Sequence, residues 1–306
     1  MYFLVKRLMR AWRARQAQRS ELASEPATAT GPLGGSIRED GPSAASRGVL
    51  ALLLHEALYD LRISLRNPRA RVMGMFFPIV LLVVFIGIFG DHHTLVDGRL
   101  VSLRVFYVPG ILAMSIVVNA YASLVITISG LRETGVLKRR RATPVPAAVL
   151  IGGQALSTVA TTALTSTFLL VIARLLYGVG MAGPAILATA CTALVGTLAF
   201  ACIGYAVSGL IGSQDAAQPT VQLTMLPLWF ISGVFIPIAR LSSFLKALAN
   251  VFPVQHLANS LHLASVNSSF GSSISATDMF VLAAWAAGAG AFCAWRFSWL
   301  PAGASR

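Results

Sequence analysis

Long apolar runs alternate with short polar segments along most of this 306-residue chain. Six runs hold about 17–30 residues each, which brackets the length that a helix needs to cross a ~30 Å hydrocarbon layer. They cover residues 72–90, 106–129, 147–176, 185–211, 221–239 and 279–295. The pattern predicts an all-α membrane protein with six transmembrane helices.

A second periodicity precedes the first run. Between residues 50 and 71, Leu54, Leu58, Leu61 and Leu65 recur at helical spacing, and charged residues occupy the other face. We expect an amphipathic helix that lies in the cytoplasmic membrane interface. A small soluble helical hairpin is the alternative.

Residues 244–266, between the fifth and sixth runs, are half apolar and are interrupted by Pro253. The segment is too polar to cross a membrane and too apolar for a simple loop. We expect a re-entrant helical pair on the outer side, because neighbouring spans can shelter irregular backbone there.

Composition agrees with a membrane protein. Hydrophobic residues make up 56% of the chain and charged residues only 11%, whereas soluble domains carry about 25% charged residues. The net charge of +13 comes from cations beside the apolar runs, so anionic lipid headgroups explain it better than nucleic acid. We divide the chain into a basic, disordered cytoplasmic extension, residues 1–48, and a transmembrane domain, residues 49–306.

A basic island separates the second and third runs. Between residues 131 and 146 it holds five cations, Arg132, Lys138, Arg139, Arg140 and Arg141. Burying all five in lipid would cost roughly 12–18 kcal/mol, so we expect this segment in water. With both termini inside, 19 of the 24 Lys and Arg residues are cytoplasmic, which is a strong positive-inside bias.

The residues and motifs that the sequence lacks limit the functions that it can have. No predicted span carries Asp or Glu in its middle, which disfavours an ion-coupled transporter. None of the three lysines, Lys6, Lys138 and Lys246, follows a glycine, so the chain has no phosphate-binding P-loop. We therefore expect no enzyme activity, no metal and no cofactor in this chain. Any ATP and Mg²⁺ would be bound by another polypeptide.

The basic island also has features of a docking element. Residues 131–141 form a short amphipathic segment, and Thr143-Pro144 ends it because the residue before proline avoids the helical conformation. Glu133 and the cations flank a small apolar face. Such a segment can occupy a cleft on a partner, although a basic loop that only sets topology is the alternative.

Three motifs give the chain a family resemblance. They are LRNP at residues 65–68 followed by Pro78, RETGVLKR at 132–139 closing with RATP at 141–144, and ISGVFIPI at 231–238 followed by NVFPVQHLANSLHLAS at 250–265. In these motifs the sequence resembles an ABC transporter permease of the type-2 exporter family, closest to the daunorubicin-resistance, antibiotic-exporting branch.

The resemblance implies a permease of the bacterial inner membrane that dimerises, as a homodimer or heterodimer, and binds two copies of an ATPase subunit. It implies that a cytoplasmic coupling helix receives the motion of the ATPase. The matching coupling residues are Arg132, Glu133, Gly135, Leu137, Lys138, Arg139, Arg141, Thr143 and Pro144. Ser232, Gly233 and Pro237 match a helix end that could act as a gate, although a kink used only for packing is equally consistent.

The substrate that we expect is hydrophobic or amphipathic, such as an antibiotic, a drug or a lipid. The polar residues that could contact it are Asn119, Tyr121, Gln222 and Trp229. A permease for polysaccharide or lipid-linked glycan is the first alternative. A membrane assembly protein without transport is the second.

Overall fold

The computed structural model describes residues 49–66, 68–96, 98–136, 147–180, 183–267 and 270–296. These residues are mostly helical. The predicted extension, residues 1–48, lies outside the described residues, as does the basic island from residue 137 to residue 146.

Nine helices, labelled α1 to α9 in chain order, organise the described residues. They are α1 Val49–Arg66, α2 Pro68–Phe89, α3 Leu103–Glu133, α4 Ala147–Tyr177, α5 Gly183–Ser208, α6 Gln214–Ile231, α7 Ser243–Ala249, α8 Pro253–Val266 and α9 Ala276–Arg296. A π turn, Val118–Ala122, widens α3 near its middle. Single 3₁₀ turns cover Ile238–Arg240 and Gly271–Ser273.

Four of the described helices are long and apolar enough to cross a membrane. These spans are Leu103–Glu133, Ile151–Tyr177, Gly183–Ser208 and Ala276–Cys293. The apolar part of α2, Phe76–Phe89, is shorter. The helix α6 has 18 residues but includes Gln214, Asp215, Gln218 and Gln222. The second, third, fourth and sixth predicted spans thus coincide with such helices, while the first and fifth stay predictions.

The fifth predicted span has the wrong limits. The helix begins earlier, at Gln214, where the Ser213 side chain accepts a hydrogen bond from the Ala216 amide and caps the first turn. It ends at Ile231 rather than near residue 239, because Gly233 adopts a φ of 76° that a helix cannot continue. The apolar residues after this glycine belong to a turn.

The helix α3 forms the centre of the bundle. It packs against α2, α4, α5 and α8, and nearly all of its first half is buried. Ile111, Leu112, Met114 and Ile116 are completely inaccessible to solvent. Around this centre, α5 packs along α9, and α1 packs along α4.

The segment between the fifth and sixth predicted spans folds as two helices, and the break at Pro253 is confirmed. Proline occupies the first turn of α8, where its missing N–H costs nothing. The helix α8 is buried over most of its length. A helix, α1, is also present where the amphipathic helix was predicted, but it ends at Arg66, and a separate helix begins at Pro68. The interfacial position of α1 and the re-entrant path of the later helical pair stay predictions.

A β-hairpin that the hydrophobic pattern did not predict joins α2 to α3. Its strands, β1 His93–Val96 and β2 Arg99–Ser102, pair antiparallel. The Arg99 guanidinium donates to the Val266 carbonyl at 3.1 Å and so ties the hairpin to the end of α8. We call this the hairpin end of the bundle, and the opposite end, which contains Arg132, the basic end.

Candidate functional site

At the basic end, the last turn of α3 bonds directly to the connection between α5 and α6. The buried Arg132 guanidinium donates to the Ile211 carbonyl. Its neighbour Glu133 accepts a hydrogen bond from the Gln214 backbone N–H at 2.6 Å. These four residues, Arg132, Glu133, Ile211 and Gln214, form what we call the junction.

The charges of the junction suit the helix ends that they occupy. Glu133 lies at the first N–H groups of α6, where the helix dipole and unpaired donors favour an anion. Arg132 lies in the last turn of α3, where a cation is favoured. The two helices are therefore joined by polar contacts that complement both helix ends.

The burial of Arg132 corrects the expectation that all five cations of the island lie in water. Only 4% of its surface is exposed, because its side chain turns back onto the α5–α6 connection. The predicted amphipathic segment also begins differently, since residues 131–133 complete α3. Gly135, with a φ of 70°, then turns the chain away from the helix.

The π turn in the middle of α3 brings a tyrosine into contact with α6. The buried Tyr121 hydroxyl lies 3.0 Å from Thr224 Oγ1. Because Thr224 Oγ1 donates to the Thr220 carbonyl at 2.9 Å, Tyr121 is the donor in the first bond. A side chain at Gly204 of α5 would begin 3.2 Å from the Tyr121 carbonyl, so glycine lets α5 approach the widened turn closely.

At the hairpin end, the turn after α6 lies between α3 and α8. His262 Nε2 of α8 donates to the Gly233 carbonyl at 3.2 Å, and its ring stacks on Phe106 with 4.5 Å between centroids. On the other side, the Val234 carbonyl lies against Gly110 of α3, where a Cβ would come within 2.5 Å of it. We call residues 232–234 the gate turn.

An ion pair anchors α8 to α9. His256 Nδ1 lies 2.6 Å from Asp278 Oδ1, and its Nε2 lies 2.9 Å from the Asn250 carbonyl. Both ring nitrogens therefore face acceptors, which favours the protonated imidazolium. The hydrogen bond to Asp278 raises the pKa of His256. Asn259 and Ser260 donate to the second carboxylate oxygen at 2.7 and 3.3 Å.

Except for Asp278, the residues of these contacts lie in a part of the chain that matches a known family. The family model described as ABC-2 type transporter matches residues 58–264, which is more than half of the chain. The chain belongs to the ABC-2 type transporter family. It is a membrane permease, and its family implies a partner ATPase.

Curated relatives of this permease include two inner membrane transport permeases named YadH. The protein from Escherichia coli strain K12 is 24% identical over 197 residues, which cover 63% of this chain and 75% of the relative. The protein from Shigella flexneri gives the same figures. The family and these names confirm a transport permease rather than an enzyme.

The structure brings some predicted site residues of the permease together and separates others. Ser232 and Gly233 lie in the gate turn, and Pro237 is buried just beyond it.

Among the four predicted substrate contacts, Tyr121 reaches α6, but Asn119 Nδ2 donates to the Ser115 carbonyl within α3. Gln222 is exposed, and the Trp229 ring packs edge-on against Phe235. The predicted coupling residues Leu137, Lys138, Arg139, Arg141, Thr143 and Pro144 lie outside the described residues.

Sequence reasoning missed the partners in each contact. Ile211 and Gln214 at the junction, and His256, His262 and Asp278 at the hairpin end, were not among the predicted site residues. Six positions separate the two histidines on α8, so their side chains do not lie on one face of the helix. That separation points them at different partners, which is what the structure shows.

Proposed function

We propose that this permease is the membrane-spanning subunit of an ATP-driven exporter that moves a hydrophobic or amphipathic compound, such as an antibiotic, a drug or a lipid. Two ATPase subunits would bind at the basic end in the cytoplasm, with both chain termini on that side. A second permease subunit, identical or related, would complete the transport path.

The observation that carries this proposal is the junction. Arg132 and Glu133 connect the end of α3 to the start of α6 by two polar contacts. Motion applied to the segment after Gly135 would therefore reach both helices at once. The predicted coupling residues from Leu137 to Pro144 follow directly in the chain, and we propose that they receive that motion from an ATPase.

Further contacts would carry the motion along the bundle. The two helices run antiparallel and meet again at Tyr121 and Thr224 near the middle. They meet a third time where the Val234 carbonyl approaches Gly110 at the hairpin end. A pair of helices held together at three levels can move as one body, so a displacement at the ATPase would reach the gate turn.

The exposed face of α6 supports a second subunit. This helix buries a narrow stripe, Ala217, Val221 and Met225, while Gln218 and Gln222 are exposed on other faces. Primary amides are costly to place in lipid without partners. A face that includes them suits contact with another permease subunit or a polar substrate path, and Gln222 is the substrate contact that we propose on it.

The same face bears on the substrate. Between Ala216 and Ile231, α6 carries no charged side chain, whereas Leu223, Leu226 and Phe230 are exposed. Apolar surface with a few amides can accept a lipophilic compound and orient its polar groups. It offers nothing to neutralise a strongly ionic solute.

Reconstitution tests the proposal. The permease should copurify with an ABC ATPase, and the complex in inside-out proteoliposomes should accumulate a fluorescent lipophilic compound only with ATP and Mg²⁺. A complex whose ATPase lacks its P-loop lysine is the matched control. Transport by the permease alone, or a purified complex that hydrolyses ATP without moving any lipophilic compound, would contradict the proposal.

A further inference from the structure

We propose that His262 is a positioning residue that holds the gate turn closed against α3, and that its bond to Gly233 opens during each transport cycle. The second half of this statement, the opening of the His262–Gly233 bond in each cycle, rests on the proposed ATP-driven transport. The first half concerns the resting permease and stands independently of it.

The hydrogen bond has a defined direction and purpose. The Gly233 carbonyl can only accept, so His262 Nε2 carries the proton. This carbonyl lies just beyond the end of α6, where carbonyls have lost their helical partners. His262 supplies the missing donor from a different helix, and the stack on Phe106 fixes the plane of its ring.

Hydrogen bonding at the contact between the gate turn and His262 is incomplete, as expected of a contact that must open. Ser232 Oγ and His262 Nδ1 are buried, and neither has a hydrogen-bond partner among the described residues. Both residues are more than nine-tenths buried. Entry of water on opening would give both atoms partners, which offsets part of the loss of the His262 bond.

The other polar contact of α8, the ion pair with α9, has partners for both ring nitrogens and both carboxylate oxygens. The His256–Asp278 ion pair has acceptors at both ring nitrogens, and the carboxylate receives donors from Asn259 and Ser260. Breaking it would leave a buried charge without a partner, which is far more costly than losing a neutral hydrogen bond. We infer that α8 stays fixed to α9 and that the gate turn is the side that moves.

Cysteine labelling of the full-length permease in sealed membrane vesicles tests this directly. With Cys191, Cys202 and Cys293 replaced by alanine, Val234→Cys serves as a buried reporter for a membrane-impermeant maleimide added from the hairpin side. His262→Phe keeps the ring but loses the donor, and we expect it to raise the labelling rate about tenfold, the change that ~1.4 kcal/mol produces. His262→Gln retains a donor and should stay within about threefold of the parent.

The controls separate the contact from general loosening. His93→Gln changes an exposed histidine of the hairpin and should leave the rate unchanged. If His262→Phe does not reach the membrane, Phe106→Leu is the second variant, because it removes the stack and should raise the rate by a smaller factor. Equal rates in the parent and every recovered His262 and Phe106 variant would overturn the first half of the proposal.

Adding the partner ATPase and ATP tests the second half. Labelling of Val234→Cys in the otherwise unchanged permease should increase during hydrolysis, while a reporter at the buried Ala258 of α8 should remain unreactive. If ATP does not change the labelling rate of Val234→Cys, the proposed cyclic opening is overturned, while the proposed resting contact stands. Failure of lipophilic transport in a complex that still shows both labelling responses would instead count against the proposed substrate.

Discussion

Glu133 Oε2 accepts a hydrogen bond from the Gln214 backbone N–H at 2.6 Å, so a side chain at the end of α3 caps the start of α6. The two residues are separated by the whole of α4 and α5 in the chain. Their contact joins the α5–α6 connection to the first residues of the basic island. It is therefore the contact at which the proposed coupling of ATP hydrolysis to transport is tested most directly.

We expect Glu133→Ala to uncouple the transporter. Loss of the cap should lower the free energy of unfolding by about 1 kcal/mol, and the amount of compound moved per ATP should fall while hydrolysis continues. Glu133→Gln keeps an acceptor and should be affected less. Thermal unfolding in detergent, together with parallel transport and phosphate-release assays, measures both effects. An unchanged transport-to-hydrolysis ratio in Glu133→Ala would remove the coupling role.

Gly135→Ala should destabilise the basic end through the backbone alone. A Cβ at this residue would meet no atom of the described residues within 4 Å, but its φ of 70° is unfavourable for alanine by about 1 kcal/mol. Gly87→Ala in α2 is the matched control, because its Cβ would also meet nothing within 4 Å in the part of the chain that the structure describes, and its backbone is helical. There alanine should be neutral or stabilising. Equal melting temperatures for the two variants would contradict this account.

The hydrophobic pattern predicted much of the helical framework because an apolar run long enough for a bilayer has few other stable structures. Pro253 likewise marked the start of α8, since proline suits a first helical turn. The end of α6 was misplaced because apolar residues continue past Gly233, and composition alone does not reveal a positive φ.

The candidate site was less predictable, because its contacts join residues far apart in the chain. The sequence predicts that Arg132 lies in water like the other cations of the basic island, and only the nearby Ile211 carbonyl explains its burial. His256 and Asp278 come from different helices, and neither lies in a local pattern that indicates a partner. Such pairs are set by how the helices pack, which the hydrophobic pattern does not specify.

Gly110→Ala should be severely disruptive at the hairpin end. The new Cβ would lie 2.5 Å from the Val234 carbonyl oxygen, and a backbone atom cannot move aside as a side chain can. Overpacking of this kind costs about 1–3 kcal/mol, so the gate turn should shift away from α3. Gly87→Ala again provides the control. A melting temperature equal to that of the control would show that the gate turn does not pack tightly on α3.

The Tyr121–Thr224 bond should show measurable coupling between α3 and α6. Tyr121→Phe and Thr224→Val each remove one partner, and the double variant completes the cycle. Interhelical hydrogen bonds in membrane proteins contribute about 0.6 kcal/mol on average, so we expect a coupling energy of that order. Equilibrium unfolding in detergent and lipid micelles provides the four free energies. Strict additivity would mean that the two helices are not joined at this level.

The two histidines of α8 should respond to pH in opposite directions. The bond to Asp278 raises the pKa of His256 above its usual value of about 6.5, so its stabilising contribution is present below that pH and is lost as the pH rises through the raised value. Burial lowers the pKa of His262 to about 4, so its neutral ring contributes above about pH 6.5 and that contribution declines as the pH falls toward 4.

Matched glutamine variants measure the difference. His256→Gln should lower the melting temperature more at pH 6 than at pH 9, because only the protonated ring forms the ion pair with Asp278. His262→Gln should lower it more at pH 7.5 than at pH 5, because at pH 5 the histidine of the unfolded parent chain is protonated while the buried ring resists protonation, which favours unfolding of the parent. Subtracting each variant from the parent at every pH cancels the remaining titrating groups. Parallel pH profiles for the two variants would mean that the two rings share one electrostatic environment, and the contrast between a fixed α8–α9 contact and an opening gate turn would lose its physical basis.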